Sequence, residues 1–352
     1  MGLEKLRKRI DEIDSKIIGL LNKRASLSVK IGRLKKKGRR SIYAPERERA
    51  VYERIENKNK GPFSNETLKS IYREIMSGSL ALEKPLVVAY LGPPATFTHI
   101  AALKKFGSSV SYLPVNSITE VFTEVERGRA DYGVVPIENS IEGAVNHTLD
   151  MFMESELKIC SEISLEVSHN ILANCTMKQI KKVYSNPQVF GQCRIWLEAN
   201  LPKAELVEVS STTKAAELAV KEKNTAAIAS SLASECYGLN ILARSIEDSA
   251  HNVTRFLVIG IAEGKPTKRD KTSIMFSVKD RVGALHDMLV PFKKNRINLT
   301  KIESRPSKKK AWEYYFFVDM AGHYKDKNVK RALGELEGRC TYLKILGSYP
   351  MA

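Results

Sequence analysis

The sequence of 352 residues predicts a multidomain fold: an all-α unit (1–84), a two-lobed α/β unit (85–265) and an α+β unit (271–352). Three observations predict it. Up to about residue 83, apolar residues recur at intervals of three and four, the period of amphipathic helices. From Leu86 onward, short apolar runs alternate with helix-like stretches, the pattern of an α/β fold with largely parallel sheets. After a loop of Gly, Lys, Pro, Thr, Arg and Asp (264–270) the order becomes β-α-β-β-α-β.

The first helix runs from Leu3 to about Lys36, and Leu3, Leu6, Ile10, Ile13, Ile17, Leu20, Leu27, Ile31 and Leu34 share one face. Arg24 alone interrupts that seam with a charge. At ~1.5 Å per residue the helix is about 50 Å long, too long for one small domain to cover, so a second chain or a returning helix must do so. A guanidinium in such a seam costs several kcal/mol unless paired, so Arg24 needs a buried carboxylate or an anionic ligand; it can also be a polar residue that sets register. Pro45 suits the first turn of a second helix with Val51 and Ile55 on its apolar face. Gly61-Pro62 ends it, and Ser64 or Asn65 caps a third helix carrying Leu68, Ile71, Ile75 and Leu82. Such an incomplete bundle is expected to be completed by dimerisation.

In the central unit LVVAYL (86–91) reads as a strand ending at Gly92-Pro93-Pro94, followed by a helix from Thr96 to Phe106. Further strands are expected at DYGVVPI, KVYS, ELVEV and TAAIAS, helices from Gln188 and over TTKAAELAVKE, and a late return strand at NVTRFLVIG (252–260). In the last unit KTSIMFSV, INLTKIESRP, AWEYYFFVDMAG and CTYLKILGSYP read as strands, GALHDMLVPFKKN and NVKRALGELEG as helices. This is the ferredoxin-like split motif.

Composition limits the function classes. No apolar run approaches the ~20 residues of a membrane span, and the N-terminus opens on an amphipathic helix, so a cytoplasmic chain without a membrane partner is expected. Gly2 invites myristoylation, but Leu6 stands where Ser or Thr is wanted. The five cysteines (Cys160, Cys175, Cys193, Cys236, Cys340) lack any CxxC spacing, so neither disulfides nor a metal site is expected. Net charge is +17, and residues 1–83 carry 21 Lys/Arg against 11 Asp/Glu. The basic run KKKGRR (35–40) is not accompanied by a nucleic-acid motif. A site that draws in a small polyanion accounts for the same excess.

Lys35 lies three turns beyond Arg24 and only ~20° round the helix, so both cations project to one side. Arg7 is roughly 100° away and is better placed for a second copy's site. Arg47 and Glu48 open the second helix; Ser79 and Glu83 share a face near the end of the third. Several cations with one or two carboxylates in an apolar bundle suit a small dicarboxylate. These residues, with LRKRIDEID, LLNKRASLSVKIGRLK and YAPERE, resemble the all-helical chorismate mutase family. The resemblance implies a pericyclic rearrangement of chorismate to prephenate, needing no cofactor, in a site that holds a compact conformer and stabilises charge on the breaking ether oxygen. It implies that Arg7 from a partner chain, Arg24 and Arg47 bind carboxylates, that Lys35 donates to the ether oxygen, and that Glu48 orients the substrate hydroxyl. Ser79 lies in the same site. Glu83 takes the place of a second ether-oxygen donor, which a carboxyl group fills only when protonated. Ala44 stands where relatives have Asp nearby.

The stretch from about Leu86 to Ala262 is similar to prephenate dehydratases through VPIENSIEGAVNHTLD (135–150), YSNPQVFGQC (184–193), SSTTKAA (210–216) and HNVTRF (251–256). That family's fold resembles two-lobed periplasmic binding proteins, with prephenate in the cleft. The reaction expels CO2 and the ring hydroxyl together, so the resemblance implies Thr254 as donor to the leaving oxygen. Glu138, Asn139 and Ser140 follow a strand end, where α/β ligand sites lie; Thr96 opens a helix whose N-terminus suits an anion. Ser211 in SSTTKAA joins them, and Arg255 either anchors a carboxylate or stabilises its loop. Two departures stand out: Gly92-Pro93-Pro94-Ala95-Thr96-Phe97 replaces the usual GPEGTF, losing a glycine able to adopt φ > 0, and Asn186 replaces the His of YSHPQ.

Residues 272–350 resemble an ACT domain, in which Gly283, Ala284, Leu285 and His286, with Asn298, Leu299, Glu303, Ser304 and Arg305, are implied to bind phenylalanine at a domain interface. Feedback inhibition through a closed, less active state is then expected. The resemblances together imply chorismate and prephenate as substrates, phenylalanine as effector, a homodimer or higher oligomer, and no nucleic-acid partner. A rival reading is an amino-acid sensor whose basic coiled coil grips DNA.

Overall fold

The computed structural model describes residues 2–37, 43–249, 251–279, 281–307 and 314–351. Residues 38–40 of the basic run and 311–313 at the head of an expected strand lie outside them.

Helix α1 (Leu3–Lys37) is one uninterrupted helix, about 52 Å long at 1.5 Å per residue. Helix α2 (Pro45–Lys58) starts with proline in its first turn, and α3 (Asn65–Glu83) is capped by Ser64, which accepts from the Thr67 amide. Both α1 and α2 pack on α3. The α1 seam stays open: its nine apolar residues from Leu3 to Leu34 are each 42–68% exposed.

The first lobe of the central unit contains β1 (Val87–Leu91), α4 (Phe97–Phe106), β2 (Ser111–Val115), α5 (Ile118–Glu126), β3 (Tyr132–Asn139), β4 (Gly143–Ala144), α6 (Asn146–Glu154) and β5 (Lys158–Glu166). The second comprises β6 (Asn170–Ala173), β7 (Lys182–Ser185), α7 (Pro187–Gln192), α8 (Arg194–Asn200), β8 (Glu205–Glu208), α9 (Thr212–Lys221), β9 (Thr225–Ala229), α10 (Ser231–Tyr237) and β10 (Asn240–Ala243). The chain then returns to the first lobe as β11 (Val253–Gly260), inserted between β3 and β5. Two crossovers, β5 to β6 and β10 to β11, therefore join the lobes.

The expectation of largely parallel sheets is corrected. In the first lobe β1 pairs parallel with β2 and β3, but β11 pairs antiparallel with both β3 and β5. In the second, β7 is parallel to β8 and β9 while β6 runs antiparallel to β9 and β10. The reason is the double crossover: a strand that returns from the other lobe enters from the opposite end.

The last unit is β12 (Asp270–Ser277), α11 (Ala284–Lys294), β13 (Leu299–Pro306), β14 (Tyr314–Ala321), α12 (Lys327–Glu337) and β15 (Tyr342–Pro350), as expected from sequence. Its antiparallel sheet has the order β13-β14-β12-β15. The units share cores. Met275, Phe317, Leu346 and Tyr349 of this sheet pack with Phe122, Phe152 and Leu257 of the first lobe. Gly347 permits this approach, because a Cβ there would lie 2.3 Å from the Ile159 carbonyl oxygen. Tyr43, just before α2, is buried against Phe106 and Tyr132 of the first lobe.

Candidate functional sites

The helical site forms where α1 crosses α3. The Arg24 guanidinium reaches the Ser79 hydroxyl and the Ile75 carbonyl, and Lys35 Nζ pairs with Glu83 Oε2 at 3.2 Å. Gly32 lets α3 come this close, since a Cβ there would meet Glu83 Cβ at 3.0 Å. Glu83 thus accepts from Lys35, where the resemblance has it donating. Arg7 does not join: it is exposed and touches Glu4 at 3.7 Å. Arg47 points to solvent. Glu48 turns toward the central unit, where its Oε2 accepts from the Tyr43 hydroxyl at 3.0 Å and pairs with Lys105 of α4 at 3.1 Å. Burial first, then the Glu48 charge, pushes the Tyr43 hydroxyl well above its ordinary pKa.

Where β3 and β11 approach the second lobe, Asn139, Ser140 and Thr254 come together. Thr254 of β11 sits opposite Asn139 of β3 in the strand register, and Asn139 Nδ2 donates to Thr254 Oγ1 at 2.8 Å and to Asn252 Oδ1 at 2.7 Å. Asn139 Oδ1 accepts the amides of Ile141 and Glu142, which fixes which end of the side chain donates. Ser140 Oγ donates to the His251 carbonyl and accepts from the Val253 amide, bracing the turn into β11. From the second lobe, Gln192 Oε1 accepts from Asn252 Nδ2 at 3.0 Å and lies 2.8 Å from His169 Nε2. His169 is buried, and burial lowers its pKa against the opposing influence of Gln192 and Glu247. Gln192 and His169 escaped sequence reasoning, although the first lies inside YSNPQVFGQC; Asn252 stood in HNVTRF without a role.

Thr96, Asn186 and Ser211 cap α4, α7 and α9 through their side-chain oxygens. Asn186 thereby has a capping job that its amide performs well. These helices follow the C-terminal ends of β1, β7 and β8, where their first-turn amides suit anions. The altered loop 92–97 shows the consequence of its missing glycine: Ala95 adopts φ 68°, the left-handed region. The loop is tied to the second lobe, with Ser230 Oγ donating to the Ala95 carbonyl at 2.8 Å and Thr213 Oγ1 to the Pro94 carbonyl at 3.2 Å.

Glu138 and Arg255 occupy different ground from Thr254. Arg255 donates Nε to Glu162, Nη1 to Glu138 and Asp319, and Nη2 to the Tyr349 hydroxyl, all at 2.7–2.9 Å. Lys271 pairs with Glu162, and Lys301 with Glu138. The guanidinium is thus committed to protein groups, which favours the stabilising role over a carboxylate anchor. Burial opposes its charge, yet Tyr349, Asp319 and Glu162 hold its pKa above the ordinary value. Burial also acts on Glu138, but the hydrogen bonds from Arg255 and Lys301 prevail and lower its pKa.

In the last unit Gly283 takes φ 76° at the N-cap of α11, Ala284 and Leu285 open that helix, and His286 is exposed beside Asp287. Asn298 and Leu299 lead into β13, the edge strand that also carries Glu303, Ser304 and Arg305. Arg305 is not a free surface cation; it holds Asp150 of α6 at 3.1 Å. Among the described residues no group of His, Cys, Asp and Glu is arranged to hold a metal, and no helix is long and apolar enough to cross a membrane.

Three family profiles match successive parts of the chain. The family profile for chorismate mutase type II matches residues 6–84, that for prephenate dehydratase 88–263 and that for the ACT domain 272–338. A bifunctional chorismate mutase/prephenate dehydratase of Aquifex aeolicus (strain VF5) is 54% identical, covering 99% of this chain and 98% of its own. A protein of the same description from Stutzerimonas stutzeri is 48% identical over 99% of this chain and 98% of its own. Among solved structures, the prephenate dehydratase of Arthrobacter aurescens in complex with L-Phe superposes with a TM-score of 0.71 at 33% identity, covering 76% of this chain and 90% of that one.

Proposed function

The chain belongs to the bifunctional chorismate mutase/prephenate dehydratases, and on that premise we propose how its residues divide the work. It rearranges chorismate to prephenate, converts prephenate to phenylpyruvate for phenylalanine biosynthesis, and is regulated by phenylalanine through the ACT domain.

In the mutase site Arg24 and Arg47 hold the substrate carboxylates together with Arg7 of a second copy. Lys35 exchanges Glu83 for the ether oxygen as the C–O bond lengthens, and Glu48 orients the substrate hydroxyl. The open α1 seam supports the dimer that this requires. No nucleophile is needed, because preorganised charge and conformer selection lower the barrier.

The observation that carries the dehydratase assignment is the Asn139–Thr254 hydrogen bond in the cleft. Asn139 Nδ2 can only donate, so Thr254 Oγ1 accepts and its own O–H is left to donate elsewhere. We place the departing ring hydroxyl of prephenate there. As the bond to the carboxylate breaks, its electron pair enters the ring, CO2 leaves, and the hydroxyl departs with the Thr254 hydrogen bond stabilising its growing negative charge. Thr96 and Ser211 mark the helix starts whose amides face the substrate anions. Five cysteines, all free, suit a reducing cytoplasm. Supplying chorismate and following phenylpyruvate by its absorbance tests both steps: Arg24→Ala should abolish the first and leave turnover of added prephenate, Thr254→Ala the reverse. Loss of neither step would refute the division.

A further inference from the structure

We propose that Lys105, a residue of the dehydratase lobe, is a positioning residue for the mutase reaction, acting through Glu48. The inference rests on the reading that Glu48 orients the chorismate hydroxyl. The Glu48 side chain is only 12% exposed, and a carboxylate that far from water needs a cation. Among the described residues of the mutase unit no cation pairs with Glu48: Arg24 reaches Ser79, Lys35 pairs with Glu83, and Arg47 is exposed. Lys105, itself 19% exposed, supplies it from the last turn of α4 at 3.1 Å.

The geometry around the pair is built rather than incidental. Lys105 Nζ lies 5.9 Å from the centroid of the Tyr43 ring, and the Tyr43 hydroxyl donates to the same Glu48 oxygen. That ring is clamped between Phe106, the neighbour of Lys105, and Tyr132 of β3, with centroids 5.0 and 5.3 Å away. Lys105 and the Tyr43 ring clamped on the dehydratase core therefore hold one Glu48 oxygen, while Tyr52, one turn along α2, also interacts with this carboxylate. The mutase site is completed from outside its own domain.

The test uses the full chain and measures mutase kcat and KM for wild type, Glu48→Gln, Lys105→Met and Lys105→Arg, with turnover of added prephenate as the readout of an intact lobe. Lys105→Met should lower mutase kcat about 10-fold, change KM less than about two-fold and leave the dehydratase rate alone. Lys105→Arg should restore at least about half of the mutase rate, and Lys105→Met should add nothing to Glu48→Gln, since both act on one group. If Glu48→Gln is impaired and Lys105→Met is not, the inference fails while the role of Glu48 survives. Unimpaired Glu48→Gln removes the underlying reading. A parallel fall of both activities in Lys105→Met marks a merely structural ion pair and overturns the proposal.

Discussion

Ile13→Lys should separate the mutase from its partner copy. Ile13 is 54% exposed on the α1 seam, away from the Arg24–Ser79 contact, so the change leaves that contact within one chain alone. Fully burying an isoleucine is worth ~1.5–3 kcal/mol, so covering the exposed half contributes about 1 kcal/mol per copy and about 2 kcal/mol in a symmetric dimer. Placing two ammonium groups in the covered seam adds a few kcal/mol more, even after their stems bend toward water. A total of roughly 4–6 kcal/mol raises the dissociation constant of the helical interface by ~10^3–10^4. Mutase activity should then rise steeply with protein concentration in the micromolar range, while turnover of added prephenate stays as in the wild type. Full mutase activity at nanomolar concentrations of the variant would refute both the seam and the role given to Arg7.

Thr254→Val keeps shape and removes the donor, so dehydratase kcat should fall ~10^2–10^3-fold with mutase kinetics unchanged. Glu138 has a lowered pKa in the folded chain, so its contribution is present above the ordinary glutamate value of about 4.3 and is lost as pH falls through the lower folded value. Protease cutting of the 264–270 loop should accordingly be flat from about pH 8 to about pH 5 and rise only below about 4.3; a rise near neutrality would contradict this. Ala95→Gly relieves ~1–2 kcal/mol of left-handed strain but loses a buried methyl worth ~0.8 kcal/mol and adds unfolded-chain entropy of ~0.4–1 kcal/mol. The melting temperature should stay within about 3 °C of wild type. Gly347→Ala must push β15 off the Ile159 carbonyl, costing at least ~1–3 kcal/mol; phenylalanine should then no longer change the dehydratase rate.

Much of the architecture was legible because it is local. The 3–4 spacing specified α1, Gly and Pro marked the strand ends, and the missing glycine at residue 95 announced a backbone strain that φ 68° displays. Arg24 demanded a partner from its position alone, and the phase of Lys35 placed it on the same side. What escaped depends on distant pairing. Strand β5 carries Glu162 in a buried position, a residue that breaks an apolar pattern until Arg255 and Lys271 arrive from far along the chain. The sequence leaves Arg255 two roles because its carboxylates lie on β3, β5 and β14. The resemblance pairs Glu48 with a substrate, whereas the fold gives it Lys105, a partner in another unit. Strand direction is a similar case: the sequence leads one to expect a late return strand, but alternation of elements does not record the direction in which it enters between β3 and β5.

The ion cluster around Arg255 divides unequally between the two domains it joins. Arg255, Glu138 and Glu162 belong to the dehydratase and carry a net single negative charge; Lys271, Lys301 and Asp319 belong to the ACT domain and carry a net single positive one. Together they cancel. Pulling the domains apart therefore opens a small capacitor, and the cost of doing so falls as dissolved ions screen its plates. Thr254 precedes Arg255 on the same strand, so this junction stands one residue from the group proposed to meet the leaving hydroxyl.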